Sequence, residues 1–423
     1  MIQQIKRVTE HPAVKHLGPG LITGAADDDP SGIATYSQAG AQFGFNMLWT
    51  MLLTYPLMTS IQMISARLGC LTGRGLAANI KGEFPAWVLY SIVSLLMVAN
   101  TINIAADIAA MGEATHLLLG GPPHYYSIGF GVLCLVLQIF VSYRTYVRYL
   151  KWLTLALLSY VAVAFTIEVP WLEVLHRTFW PHLSFDHDTI TIIVAVLGTT
   201  ISPYLFFWQA AQEMEDLRVN GSGEILPPTA PEARQHLRRI KWDSAVGMGF
   251  SNLVAFFIIL STAATLHQAG VTNIQTSAQA AEALRPLAGH FAFLLFSLGI
   301  IGTGLLAVPV LAGSAAYAVT ETFEWRSGLD LKLHEAKPFY AIVAVATLGG
   351  VILNFTPMDP IKALLWSAVI NGVIAVPIMV VMMLLGTQER IMGLFVIGRR
   401  LRVLGWLATV VMALAVMAMV ATL

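Results

Sequence analysis

Charge is what this sequence has least of. Only 11% of its 423 residues are Asp, Glu, Lys or Arg, against about 25% in a typical soluble domain, and its mean hydropathy is +0.70. That scarcity excludes a disordered chain, a nucleic-acid binder with a basic footprint, and a soluble enzyme of one or two ordinary domains. Cysteine is scarcer still, with only Cys70 and Cys134 present. Cys70 is expected in the loop after a second membrane span and Cys134 inside a fourth, which argues against both a disulfide and a cysteine metal site. No cleavable leader is expected, because the first sixteen residues are largely polar and the first apolar run carries three acids. Net charge is zero, 24 basic residues against 24 acidic, so only the placement of charge is informative.

Apolar residues make up 57% of the chain, arranged in runs of the roughly 20 residues that a transmembrane helix needs. Eleven spans are expected, near 17–43, 46–66, 86–112, 126–143, 149–168, 188–216, 241–266, 291–319, 338–355, 360–385 and 402–422. With the amino terminus in the cytoplasm, 21 of the 24 Lys and Arg fall in alternate connections and only Arg177, Arg285 and Lys362 lie outside, as the positive-inside rule requires. The expectation is an all-α polytopic protein of the cell (inner) membrane, with an extracytoplasmic carboxyl terminus. Its divisions are a cytoplasmic N-terminus (1–16), a first repeat of helices 1–5 (17–168), an extracytoplasmic loop (169–187), a second repeat of helices 6–10 (188–385), and a cytoplasmic loop with helix 11 (386–423). Leu217–His236 reads as a flexible cytoplasmic loop. His116, His124, His182, His187 and His334 are expected in solvated loops, and Trp87, Trp171 and Trp180 at the membrane interfaces.

Two of the spans are interrupted. In the first, Asp29 precedes Pro30, and in the sixth, Ser202 precedes Pro203. Each pair has the chemistry of a helix start, an oxygen-bearing N-cap followed by proline at the first helical position. Broken backbone at membrane depth is tolerated only where it is buried in protein or lines a wet cavity. The breaks lie five spans apart, an odd number, so spans one to five and six to ten form a 5+5 inverted repeat with helix 11 appended, the plan of many secondary transporters. The plainer alternative is that Pro30 and Pro203 only kink their helices.

A carboxylate near the bilayer centre is by default functional, and Asp27, Asp28 and Asp29 stand there in a row. Asp29 is the leading candidate for a cation ligand, with simple helix capping as its other role. Asp27 and Asp28 are expected to diverge by about 100° at the end of the preceding half-helix. Asn100, Asn103 and Asp107 share one face of the third span and either line a path or seal helix contacts. Gln209, Gln212 and Glu213 read as a polar vestibule or a solvated helix end.

Gly18-Pro19-Gly20, Asp29-Pro30-Ser31-Gly32, Ala34-Thr35, Gly40-Ala41-Gln42-Phe43-Gly44, Leu48-Trp49 and Ser65-Ala66-Arg67-Leu68-Gly69 together resemble the natural-resistance-associated macrophage protein (NRAMP) family. The resemblance continues at Gly198, Thr200 and Pro203, at Leu311-Ala312-Gly313, and at Asp359-Pro360 with Asn371-Gly372. It implies a LeuT-like fold and transport of a divalent metal ion, with the ion as substrate, no resident cofactor and no enzyme activity; the sequence leaves the oligomeric state open, a monomer among the options. Where the family has Asp-Pro-Gly-Asn in the first break, with the asparagine on the metal, this chain has Gly32. Where the family has a backbone carbonyl, a methionine, proline and histidine in the sixth, this chain has Thr199, Ser202, Pro203 and Tyr204.

The implied site is Asp29, Ser202 and the Thr199 carbonyl, with Asp28 and Gly32 beside them. Loss of the thioether makes it harder, which suits magnesium or manganese and resembles the magnesium-transporting branch of the family. Asp107 matches the family's third-span aspartate, but its partner glutamate is Ala110 and the sixth-span histidine positions are Tyr204 and Gln209. Proton coupling is therefore expected to be weak or absent, leaving Asp27, Asn100, Asn103, Asp107, Tyr204 and Gln209 as pathway candidates. A potential of about 100 mV, negative inside, would favour divalent entry by about 4.6 kcal/mol. The alternatives are a proton-coupled manganese or iron importer, or a transporter of this fold that has lost the metal site.

Overall fold

The structure, a computed structural model, describes residues 19–141, 153–182, 184–220, 230–329, 331–356 and 359–422. The expected cytoplasmic segment 1–16 lies outside them. The helices are α1 (Pro19–Asp27), α2 (Pro30–Phe43), α3 (Leu48–Thr72), α4 (Leu76–Glu83), α5 (Ala86–Leu119), α6 (Pro123–Phe140), α7 (Leu158–Val163), α8 (Trp171–Phe179) and α9 (His187–Thr200). There follow α10 (Pro203–Asn220), α11 (Ala230–Thr262), α12 (Ser277–Glu282), α13 (Arg285–Ala288), α14 (Ala292–Thr322), α15 (Lys337–Leu353), α16 (Pro360–Gly386), α17 (Glu389–Met392) and α18 (Arg399–Ala421). Among the described residues, eight helical runs are long and apolar enough to cross a membrane, and the 17-residue α15 adds a shorter apolar helix.

Local chemistry sets the boundaries. Asp29 and Asp359 cap α2 and α16 by accepting backbone N–H bonds, each with proline at the first helical position. Gly44, at φ 59°, turns the chain between α2 and α3 where an L side chain would be strained. Both interrupted spans are true breaks: α1 ends at Asp27 and α2 starts at Pro30, while α9 ends at Thr200 and α10 starts at Pro203.

α1 packs along α11, α9 along α16, and α3 against both α10 and α11; α5, α14 and α15 form a second cluster. The most apolar window of the run His187–Leu217 is 89% buried, against 22% for α6, so the broken sixth span is the centre of the bundle and α6 its rim.

Several boundaries differ from the hydropathy reading because helices extend past the apolar window and cover their own ends. Cys70 lies inside α3, buried, and not in a loop. His116, His124 and His187 belong to α5, α6 and α9, whereas His182 and His334 do lie outside helices. The expected loop Leu217–His236 shrinks, since α10 runs to Asn220 and α11 begins at Ala230; residues 221–229 lie outside the description. The fifth span is described only from Leu153, as a 3₁₀ turn Leu153–Leu157 followed by α7.

Asp186 caps α9 and is an exposed group with a measurable consequence. Hydrogen bonds from the Ser184 side chain and from the backbone and hydroxyl of Thr189 hold its carboxyl at about 2, below the ordinary 3.8. A depressed folded pKa gives stability above the unfolded pKa that disappears as pH falls through the folded one. Asp186→Ala is expected to lose about 1 kcal/mol at neutral pH, and thermal melts should show the difference from the wild type closing between about pH 4 and pH 2.

Candidate functional site

The two breaks face each other. A Cβ built on Gly32, in the first turn of α2, would lie 3.1 Å from Thr199 Oγ1 and 3.4 Å from Asp29 Oδ1. The missing side chain at position 32 thus leaves the Thr199 hydroxyl close to Asp29. Asp29 Oδ1 accepts the Gly32 N–H at 2.7 Å and Oδ2 accepts the Asn103 amide at 2.9 Å. Asn103 in turn accepts from Asn371 of α16 at 3.3 Å. Asn371 belongs to the motifs that carry the family resemblance, yet its link to the site is tertiary; an isolated amide in an apolar span is the only local signal of it.

Ser202 does not cap α10 as its place before proline suggests. Its hydroxyl donates backwards to the Gly198 carbonyl at 2.9 Å and the Thr199 carbonyl at 2.8 Å, because the last carbonyls of α9 have no partner within their own helix. The lone pairs of Ser202 Oγ and the second lone pair of the Thr199 carbonyl remain free to accept.

Asp27 and Asp28 do not diverge. α1 ends at Asp27, so Asp28 is released from helical geometry and both carboxylates meet the Ser251 hydroxyl of α11, at 2.6 and 2.9 Å. Tyr204 donates to the Ala26 carbonyl at 3.1 Å. Asn100 leaves the candidate path: its amide donates to the Leu311 carbonyl and Ser314 Oγ, joining α5 to α14. Nor are Gln209 and Glu213 at a solvated end. Gln209 accepts from Thr23 at 2.5 Å and Gln62 at 3.4 Å and donates to Glu213, which is ion-paired with Arg239. Arg239, counted as a loop charge from sequence, lies in α11 and reaches Asp216 at 2.8 Å.

The chemistry of the gap is an excess of acceptors. Asp27, Asp28, Asp29, Asn103, Asp107, Thr199 and Ser202 are each at most 2% exposed. Asp27 Oδ1, both Asp107 carboxyl oxygens and Asn371 Oδ1 are buried without a hydrogen-bond partner. Among the described residues no lysine or arginine is buried. Such a set is matched by a small cation, which supplies the positive charge that buried oxygens otherwise lack. The site residues are closed off from solvent; the Thr23–Gln209–Glu213–Arg239 chain lies beside α1, and Gln38 of α2 holds the 272–274 segment by bonds to Thr272 and Ile274.

A family model described as natural resistance-associated macrophage protein-like matches residues 20–422. The chain belongs to that family. It is a family of transporters and not of enzymes, and this NRAMP chain is a multi-pass membrane protein. The divalent metal cation transporter MntH of Deinococcus radiodurans is 28% identical over 405 residues, covering 93% of this chain and 87% of the relative. MntH of Klebsiella pneumoniae is 26% identical, covering 92% and 90%. In structure, the NRAMP chain is similar to the Eremococcus coleocola manganese transporter, with a TM-score of 0.75 at 17% identity over 96% of this chain and 86% of the other. It is also similar to inward-facing Mhp1, with a TM-score of 0.55 at 13% identity and coverage of 95% and 90%. The fold is LeuT-like and all-helical, as expected.

Asn103 is the positioning residue for Asp29. Asn103→Ala is expected to weaken divalent-cation binding 10–100-fold, the usual loss when a group that orients a metal ligand is removed, measured by calorimetric titration of purified protein.

Proposed function

We propose that this protein moves a divalent metal cation across the membrane by alternating access, with Asp29, Thr199 and Ser202 as its ligands. One observation carries the reading: a fully buried, acceptor-rich gap between two broken helices, with no buried basic side chain among the described residues to balance it. The names of the curated relatives, divalent metal cation transporters, support the same class of cargo. The proposed orientation places the amino terminus in the cytoplasm and the carboxyl terminus outside.

Within that class we propose a hard ion, magnesium or manganese, carried with weak or no proton coupling. Gly32 and Ser202 remove an amide and a thioether from the pattern that the family resemblance supplies, leaving oxygen donors alone. A partly hydrated ion suits a site with few direct ligands. The competing reading, proton-coupled import of manganese or iron, draws on the manganese transporter of similar fold.

The test is uptake of magnesium, manganese and calcium into proteoliposomes with internal pH recorded alongside. Magnesium or manganese should enter with little acidification. Manganese entry that acidifies the lumen and is blocked by iron would overturn the uncoupled reading. If no divalent ion enters while Asp29→Ala alters movement of another solute, the metal assignment fails. Ser202→Met is expected to shift preference from magnesium towards manganese and cadmium in competition assays, since a thioether favours softer ions.

A further inference from the structure

The link from Val163, where α7 ends, to His187, where α9 begins, carries the nine-residue helix α8 (Trp171–Phe179). It rests on the turn 44–47 and on α3, at the end of the bundle where α3 and α9 start. Only two of its residues, Val174 and Thr178, are buried. They lie one helical turn apart and form the face that meets the bundle. The Thr178 hydroxyl is satisfied within the helix, donating to the Val174 carbonyl at 2.7 Å.

The remaining residues do not make one solvated surface. At roughly 100° per residue, Leu172, Leu175 and Phe179 gather about 120° to one side of the bundle face, and Glu173, His176 and Arg177 gather about 120° to the other. Trp171 stands at the border between the bundle face and the apolar one. Leu172, Leu175 and Phe179 are 84%, 54% and 56% exposed. Past the helix, Trp180 and Phe185 are exposed as well, and the Trp180 ring packs beside His176 and Phe179. Large apolar side chains collected on one exposed side, with the charges kept on another, mark a surface that meets something other than water.

Position and charge decide what covers it. α3, on which α8 rests, belongs to the membrane-crossing run Pro30–Thr72 and exposes Leu52 within its first two turns, so the apolar face of α8 continues a flank that faces lipid. Trp171 and Trp180 have the amphipathic rings that settle at the headgroup level. The two full charges of the polar face, Glu173 and Arg177, cancel in an i,i+4 pair at 3.8 Å, which leaves nothing to select anionic lipid. We propose that α8 lies in the membrane interface on the side where α3 begins, its Leu172, Leu175 and Phe179 face set about 5–10 Å into the headgroup and acyl boundary and its Glu173, His176 and Arg177 face in water. The turn 44–47 follows α2 directly, so α8 holds the outer end of the half-helix that starts beyond Asp29 at a fixed depth.

Spin labels read that depth. Cys70 and Cys134 are buried, so a cysteine introduced on the exposed face of α8 takes the label, with the unsubstituted protein as background. In proteoliposomes of phosphatidylcholine, labels at Leu172→Cys, Leu175→Cys and Phe179→Cys should collide with dissolved oxygen in preference to a water-soluble nickel chelate, at an oxygen-to-nickel ratio several-fold above that at Glu173→Cys. Adding an anionic lipid should leave the ratios unchanged. Equal access of nickel to Leu175→Cys and Glu173→Cys would put the apolar face in water and overturn the proposal. So would shielding of Leu172→Cys and Leu175→Cys from both reagents, the result if a second copy or another protein covers the face. A preference for oxygen that emerges only with anionic lipid would overturn recognition of the apolar boundary in favour of headgroup charge.

Discussion

Asp29→Asn is expected to abolish divalent-cation uptake while the protein still folds. Asparagine is as good an N-cap as aspartate, so the bond from Gly32 N–H that starts α2 survives the change. What disappears is the negative charge at the meeting point of the two breaks, together with the oxygen that accepts the Asn103 amide. Removing a group that merely orients a metal ligand lowers affinity about 10–100-fold, so neutralising the ligand itself should exceed about 100-fold. Asp29→Ala should lose the same binding and, in addition, about 1 kcal/mol of capping. Uptake into proteoliposomes measured beside thermal unfolding separates the two effects. Transport by Asp29→Asn at the wild-type rate would remove Asp29 from the site.

Gly198→Ala should be among the most damaging single methyl groups. A Cβ at this position would lie 2.1 Å from the Ala368 carbonyl oxygen and 2.5 Å from the Gly372 nitrogen. Both obstacles are backbone of α16 and cannot swing aside as a side chain would. α9 and α16 would have to separate, and overpacking of this kind typically destabilises by about 1–3 kcal/mol, more where nothing can relax. The site suffers as well, because the Gly198 and Thr199 carbonyls are the acceptors that hold Ser202. Little monodisperse protein is expected, with a sharply lowered melting temperature. Gly129→Ala is the control, since a Cβ there meets nothing within 4 Å and alanine favours a helix. A Gly198→Ala protein that melts like Gly129→Ala would refute the close contact.

The positions of the breaks were legible because they are local chemistry: an oxygen-bearing residue, then proline, inside an apolar run. So was the presence of buried carboxylates at the first break, since lipid excludes an unexplained carboxylate. The roles of its neighbours were not. Asp27 and Asp28 looked divergent on helical spacing, but the helix stops between them and Ser251, more than 200 residues away, draws both carboxylates together. Ser202 has the sequence of a cap, yet the unpaired carbonyls at the end of α9 compete for its hydroxyl and win. Asn100 and Asn103 share a helix face, and only the packing of α14 against one and of the first break against the other sends them to different tasks.

Composition and spacing by themselves determined that the chain is helical and membrane-spanning, where its two central helices break, and that the rare acid lies at the first break. These follow from the solvent, because a bilayer penalises every charge and every unpaired backbone group whatever the fold. Tertiary structure alone decided which oxygens converge. That depends on glycines that let α1 lie on α11 and α9 on α16, contacts between segments far apart in sequence. No local rule specifies such contacts, and a shift of one residue in either would point the same side chains elsewhere.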